Sequence, residues 1–117
     1  MKLIRGISGI RGIVSQTLTE SVVINHIRAF SKIQESGTIL VARDSRSHGR
    51  NLIDVCCHAL QKCGRDIQNF DIIPTPTAQF IIEKNNLAGG IVITASHNPE
   101  EWNGLKFIDS DGCFLNS

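Results

Sequence analysis

The chain has 117 residues, of which 41% are hydrophobic, and a formal net charge of +1. This length is typical of one domain with a modest core, and the balanced charge argues against nucleic acid as a partner. No apolar run is long enough to cross a bilayer, and the amino terminus lacks the apolar stretch of a secretory signal. We therefore expect a cytoplasmic protein that has no membrane partner.

The four cysteines fit no zinc pattern, because the sequence contains no C-x-x-C pair. Three of them fall within one predicted helix, where neighbouring positions point to different faces and make poor disulfide partners. We expect free thiols in a reducing compartment. The residues are Cys56, Cys57, Cys63 and Cys113.

The amino-terminal segment combines a short predicted strand, Leu3–Gly6, with glycines at positions 6, 9 and 12. The spacing differs from the G-x-G-x-x-G fingerprint of dinucleotide-binding proteins. It favours instead a tight loop in which the glycines let Arg11 come close to another backbone.

The first predicted helix begins at a capping box formed by Thr17 and Glu20. Three apolar residues at i, i+4 and i+7 predict its buried face. The helix is expected to end at Ser36-Gly37, where glycine suits a left-handed backbone. The buried face consists of Val23, Ile27 and Phe30.

A second predicted strand, Thr38–Ala42, ends in Arg43-Asp44-Ser45-Arg46. Two interpretations stay open for these arginines. They could form a local ion pair with Asp44, which at an exposed site contributes on the order of 0–1 kcal/mol. Alternatively, one of them could hold a phosphate group at the end of the strand.

A second helix is predicted over residues 49–62, with its apolar side at Leu52, Val55, Cys56, Ala59, Leu60 and Cys63. Residues 65–73 alternate and predict a third strand. Thr75 is expected to cap a third helix that has Pro76 at its first position. This helix is expected to end at Asn85-Asn86.

The fourth predicted strand, 90–95, leads directly into Ser96-His97-Asn98-Pro99. Pro99 cannot continue a ladder, so the chain turns there. Ligands of α/β proteins usually bind at the carboxyl ends of strands, and the following extended segment can bring Lys106 back. A hydroxyl flanked by an imidazole and an ammonium suits phosphoryl transfer.

The carboxyl-terminal segment is predicted to contain an extended piece, 105–108, then a turn and a short edge strand, 113–115. The order β-α-β-α-β-α-β predicts a single α/β domain over residues 1–117. Its fold is expected to be a three-layer α/β/α sandwich with a mixed, mostly parallel sheet.

Three segments carry a resemblance to a known family. Residues 94–99 (TASHNP) with residues 103–106 (NGLK) closely resemble the phosphoserine loop of the α-D-phosphohexomutases, which include phosphoglucomutase, phosphomannomutase and phosphoglucosamine mutase. Residues 8–12 resemble their Gly-Ile-Arg-Gly signature. Residues 42–46 resemble their Gly-Arg-Asp-x-Arg motif, with Ala42 replacing the glycine. The resemblance spans Ser8 to Leu115 and corresponds to the first of four domains.

The resemblance implies a function and roles for eight residues. Ser96 carries a phosphoryl group that is exchanged with a sugar, so that hexose 6-phosphate and hexose 1-phosphate are interconverted through a bisphosphorylated sugar. One oxygen of that phosphate is a ligand of Mg²⁺, whose remaining ligands belong to another domain of the same enzyme. The other residues assist proton transfer and neutralise charge (Lys106, Arg11), position the loop (His97, Arg43) or position the substrate phosphate (Arg43, Arg46, Asn98, Asn103).

The isolated domain is expected to be inactive, because the metal and sugar loops of the family belong to other domains. The alternative is a non-catalytic module that binds phosphate or a sugar phosphate. A reading frame that continues into an aspartate-rich loop would favour the enzyme over the module. The segments 8–12 and 101–106 look more like bacterial phosphoglucosamine or phosphomannose mutases than like animal phosphoglucomutase.

Overall fold

The fold was obtained as a computed structural model, and the structure describes residues 3–6, 9–45, 49–94 and 102–115. Nine helices and strands are found in these ranges. In chain order they are β1 (Leu3–Gly6), β2 (Gly9–Ile13), α1 (Glu20–Ile33), β3 (Ile39–Arg43), α2 (Gly49–Lys62), β4 (Ile67–Ile72), α3 (Thr75–Lys84), β5 (Gly89–Ile93) and β6 (Trp102–Asp109).

The strands form one mixed sheet in the order β1-β2-β6-β5-β3-β4. Strand β3 pairs in parallel with β4 and β5, whereas the β1-β2, β2-β6 and β5-β6 pairings are antiparallel. The α/β class with a mixed sheet is confirmed. Its antiparallel share exceeds the expected one, because residues 9–13, predicted as a loop, form a strand, and β6 is eight residues long.

Two apolar cores cover the two faces of the sheet and produce the three layers. Side chains alternate along a strand, so Ile39 and Val41 of β3 pack beneath α1 and α2, and Leu40 and Ala42 pack beneath α3. Strands β3 and β5 are buried on both faces and are therefore continuously apolar. The predicted buried face of α1 is confirmed, since Val23, Ile27 and Phe30 are all buried.

The glycines near the amino terminus allow two backbones to approach closely, as expected, but they do so within the sheet. A Cβ atom at Gly9 would collide with the carbonyl oxygen of Leu105, and one at Gly104 would collide with that of Ile10. Strands β2 and β6 therefore pair at a distance that only glycine allows at these two positions.

Several predicted boundaries are wrong by a few residues. The N-cap of α1 is Thr19, whose hydroxyl accepts a hydrogen bond from the Val22 amide at 3.4 Å. The Thr17 hydroxyl accepts instead from the Ile13 amide at 2.8 Å, so Thr17 and Glu20 form no capping box. Helix α1 ends at Ile33, before Ser36-Gly37.

Three further predictions about local structure are corrected. The N-cap of α3 is Pro74, and no side chain caps this helix. The segment 113–115 contributes one bridge, between Phe114 and Ile108, where an edge strand was expected. Cys63 is exposed, although it was predicted to lie on the apolar side of α2, whereas Val55 is half-buried and packs against the core as predicted.

Candidate active site

The carboxyl edge of the sheet is the edge at which β3 and β5 end and β6 begins. Arg43 and Ile93 are partners in the parallel pair, and Ile93 is also the antiparallel partner of Leu105. Beyond the strands, the Asp44 amide donates to the Ile93 carbonyl at 3.0 Å, and the Thr94 amide donates to the Gly104 carbonyl at 2.9 Å. Backbone hydrogen bonds therefore join the ends of β3 and β5 to the start of β6 as far as Thr94, the last described residue before position 95.

Arg11 and Lys106 lie on the face of the sheet that α3 covers. Their neighbours Ile10 and Leu105 are partners in the β2-β6 ladder and are buried beneath α1 and α2, so alternation turns Arg11 and Lys106 to the opposite face. Arg11 pairs with Gly104, and a Cβ atom at that glycine would lie 2.8 Å from the Arg11 Cγ. The arginine stem thus extends over β6 in the space that a side chain at position 104 would occupy.

The ammonium group of Lys106 lies over the ring of Phe114, with Nζ 5.3 Å from the ring centroid. This is within the range of a cation–π interaction. Phe114 forms a bridge with Ile108, which is further from the carboxyl edge than Lys106 is. In this structure the amine therefore points away from the edge that leads into the serine segment, and it must leave Phe114 to act there.

Arg43 lies on the other face, against the beginning of α2. Its Nε donates to Oδ1 of Asp71 on β4 at 2.6 Å. A Cβ atom at Gly49 would lie 3.2 Å from the Arg43 Cδ, so the arginine stem occupies the space beside this glycine. Of the two interpretations left open for the arginines, the ion pair is present for Arg43, but its described partner is Asp71 on the neighbouring strand.

Asp71 was missed by sequence reasoning. A signal was available, because Asp71 lies at the end of a predicted strand, and parallel strands align their carboxyl ends. The strand order, however, was not fixed by the sequence pattern, so no pairing of β4 with β3 could be assumed.

Asn103 is fully buried at the start of β6, opposite Gly12. Its Oδ1 accepts a hydrogen bond from the Gly104 amide at 2.9 Å, whereas its Nδ2 has no partner among the residues that the structure describes. Buried amide groups are nearly always paired, and leaving one unpaired costs about 1–3 kcal/mol.

Four predicted site residues, Ser96, His97, Asn98 and Arg46, lie outside the described residues, as does the loop that carries Ser96. Among the described residues, the strands place Arg11 and Arg43 at the same edge but on opposite faces of the sheet.

The thiols lie apart from this edge. Burial raises the pKa of Cys56 well above its ordinary value, and burial together with the charge of Asp54 raises the pKa of Cys57. All four thiols are free, as predicted.

Two surface hollows among the described residues lie away from the predicted site. One, of about 650 Å³, runs between α1 and α2, and another, of about 610 Å³, lies at the amino edge of the sheet around Arg65. Neither is lined by Arg11, Arg43, Asn103 or Lys106. The described segments contain no group of three His, Cys, Asp or Glu side chains placed to hold a metal, and none of their helices is long and apolar enough to span a membrane.

The chain is similar in sequence to known phosphosugar mutases. Residues 2–117 match the family described as phosphoglucomutase/phosphomannomutase, alpha/beta/alpha domain I. The phosphoglucosamine mutase of Prochlorococcus marinus strain AS9601 is 39% identical over 113 residues, which are 96% of this chain and 25% of that protein. The phosphoglucosamine/phosphogalactosamine mutase of Sulfurisphaera tokodaii is 37% identical over 108 residues, which are 92% of this chain and 24% of that protein.

A solved structure agrees with the sequence comparisons. It is the Thermus thermophilus protein described as a "putative phosphomannomutase", which superimposes with a TM-score of 0.85 and 25% identity over 98% of this chain and 27% of that one. The chain spans about a quarter of the length of the curated relatives it matches. From the match over residues 2–117 and the shared fold, the chain belongs to the phosphoglucomutase/phosphomannomutase family, whose alpha/beta/alpha domain I it represents.

Proposed function

We propose that this chain is the phosphoserine-bearing domain of a phosphohexomutase that interconverts hexose 6-phosphate and hexose 1-phosphate. The observation that carries the proposal is the meeting of β3, β5 and β6 at one sheet edge, from which the chain enters the Ser96 segment, in a chain that matches domain I of the family. Relatives named phosphoglucosamine mutase favour an amino-sugar phosphate as the substrate class.

In the proposed reaction, Ser96 carries the phosphoryl group between turnovers. The bond from Ser96 Oγ to phosphorus breaks as a new bond forms between phosphorus and the oxygen of the free sugar hydroxyl. The sugar hydroxyl gives up its proton and Ser96 Oγ gains one, so that serine leaves as a free hydroxyl, and these proton transfers are reversed when Ser96 is phosphorylated again. The bisphosphorylated sugar then turns over in the site, and its other phosphoryl group returns to Ser96. The net change is the position of one phosphoryl group on the sugar.

The cationic side chains of this chain serve the proposed transfer by neutralising charge. Phosphoryl transfer spreads negative charge over the oxygens of the moving group, so positioned cations stabilise the transition state. Arg11 and Lys106 lie on the face of the sheet that α3 covers, and Arg43 lies on the face that α2 covers. Lys106 would leave Phe114 to assist the proton transfer, and His97 would position the loop with Arg43. Arg46, Asn98 and Asn103 would position the substrate phosphate.

Magnesium is proposed as the cofactor, with an oxygen of the Ser96 phosphate as the ligand that this chain supplies. When bound, Mg²⁺ polarises a phosphoryl oxygen, and it typically takes few protein oxygens besides phosphate. As the family resemblance implies, we assign the remaining ligands to other domains of the same enzyme.

The experiment is a coupled assay of the full-length protein with glucosamine 6-phosphate, glucose 1-phosphate and mannose 1-phosphate, in the presence of a trace of hexose 1,6-bisphosphate. We expect turnover that Ser96→Ala abolishes. Residues 1–117 alone should show none, because the metal and sugar loops of the family belong to other domains. Binding of sugar phosphates by the full-length protein without turnover would contradict the enzyme and favour the binding module.

A further inference from the structure

The contact between Arg43 and Asp71 is made by an irregular piece of β4. The register between β3 and β4 shifts between Val41 and Ala42, so that Val41 is opposite Asn69 and Ala42 is opposite Asp71. Phe70 is thereby left as an extra residue in β4, which is the arrangement of a β-bulge. Bulges frequently re-aim a side chain near an active site.

The backbone conformation of Asp71 also indicates that this side chain is held in a particular direction. Asp71 has φ of 57°, in the left-handed region that side-chain-bearing residues seldom adopt. The Oδ1 of Asn69 accepts a hydrogen bond from the Asp71 amide at 2.8 Å and holds this conformation. An uncommon backbone is therefore combined with a dedicated hydrogen bond at the residue whose carboxylate meets Arg43.

The contact is made at a particular part of the guanidinium. Asp71 accepts from Nε of Arg43, the nitrogen next to the stem, and the terminal nitrogens lie beyond it. The stem is further limited by Gly49, where a Cβ atom would lie 3.2 Å from Cδ and 3.5 Å from Nη1. The side chain of Arg43 is only 12% exposed, whereas that of Asp71 is 60% exposed. An ion pair with so exposed a partner adds little to stability, but it does fix the rotation of the guanidinium plane.

We propose that Asp71 is a positioning residue that acts through Arg43. By holding Nε, its carboxylate orients the guanidinium at the carboxyl edge so that the terminal nitrogens can receive a phosphate oxygen of the reacting sugar. This inference rests on the proposed function. It adds a residue from β4 to a site otherwise built from β2, β3, β5 and β6.

The test is a double-mutant cycle in the full-length enzyme. Asp71→Asn removes the charge but keeps the side-chain shape and a residue type that tolerates positive φ. Asp71→Asn is made alone and together with Arg43→Gln, and kcat/KM of each variant is measured with glucosamine 6-phosphate. The Kd of this ligand is measured by calorimetry, which gives a second coupling energy that does not depend on turnover. Asp66→Asn is the matched control, since Asp66 is exposed on the loop that precedes the same strand.

We expect Asp71→Asn to lower kcat/KM by about 3- to 10-fold, a typical coupling for residues in contact. Its melting temperature should match that of Asp66→Asn, and the control should keep wild-type kinetics. In the Arg43→Gln background, Asp71→Asn should have no further effect. Asp71→Gly, which relieves the left-handed backbone, should fold at least as stably and show the same kinetic loss.

Two results would overturn the inference while leaving the proposed function in place. One is an Asp71→Asn enzyme with the kinetics of Asp66→Asn, and the other is an equal effect of Asp71→Asn with and without Arg43. A wild-type protein that converts no hexose phosphate would instead overturn the proposed function, and this inference with it.

Discussion

Arg65 at the amino edge of the sheet and Arg43 at the carboxyl edge are held in very different ways. Arg65 donates five described hydrogen bonds: to the hydroxyl and carbonyl of Ser31 (3.0 and 2.7 Å) and to the carbonyls of Gln34 (2.9 Å), Glu35 (2.5 Å) and Gly37 (3.0 Å). These carbonyls include those that the end of α1 leaves without helical partners. Arg65 thus closes the end of a helix, and every described contact it makes is internal.

At the carboxyl edge, Arg43 and Asn103 have fewer polar contacts to the described residues than Arg65 has. Arg43 is fixed by Asp71 at Nε, and the buried Nδ2 of Asn103 has no partner among the described residues. The contacts of Arg65 are those of a residue that closes a helix, whereas the phosphate-binding role of Arg43 is our proposal, and residue type alone does not distinguish the two roles. The difference suggests that the amino edge contributes mainly stability and the carboxyl edge mainly function.

The largest effect is expected for Lys106→Ala in the full-length enzyme. Loss of a cation that stabilises the transition state should lower kcat by about 100-fold or more. The free energy of unfolding should fall by less than about 1 kcal/mol, because Lys106 is half-buried and its described ring contact is a single cation–π pair. Steady-state kinetics and urea unfolding measure the two quantities. A large loss of stability with unchanged kcat would show that the carboxyl edge contributes mainly to stability and would contradict our assignment of this edge to function.

Arg65→Ala should produce the opposite pattern. Five carbonyl or hydroxyl acceptors lose their charged donor, and we expect the free energy of unfolding to fall by roughly 2–3 kcal/mol. At a temperature where the variant stays folded, its kcat should equal that of the wild type. Arg28→Ala, which removes an exposed arginine from α1, is the control for loss of charge. Equal stability of the two variants would mean that Arg65 does not hold the amino edge together.

The smallest effect is expected for Asn103→Leu, which replaces the amide by an apolar group of similar size. The replacement removes the buried hydrogen bond that Oδ1 accepts from the Gly104 amide, so we expect the free energy of unfolding to fall by about 1 kcal/mol. Thermal and urea unfolding of residues 1–117 are the measurements. A loss as large as that expected for Arg65→Ala would show that Asn103 contributes to stability as Arg65 does, and would weaken the contrast between the edges.

Much of the fold could be predicted from the sequence because it depends on local periodicity. The spacing of Val23, Ile27 and Phe30 specified the buried face of α1, and the apolar runs of β3 and β5 indicated strands covered on both sides. Strand β2 was missed because its glycines resemble loop residues. These glycines allow β2 to approach β6 closely, and their partner residues in β6 lie more than 90 positions later in the chain.

The candidate site was predictable in outline and not in its contacts. The motifs around Arg11, Arg43 and Lys106 identified residues that the strands do bring to one edge. The partner of Arg43 depends on the bulge in β4, and the position of the Lys106 amine depends on the return of Phe114 toward β6. Both are tertiary features that residue spacing does not encode. The roles of Ser96, His97, Asn98 and Arg46 remain predictions.

The most direct test of the central claim is the intact mass of the purified full-length protein, compared with that of Ser96→Ala. We predict one added phosphoryl group in the wild type, lost on incubation with an excess of hexose monophosphate as acceptor and absent from the variant. The Ser96→Ala protein should also be inactive. A wild-type protein that is fully active with no phosphate on Ser96, and that needs no bisphosphorylated sugar to start, would contradict the account.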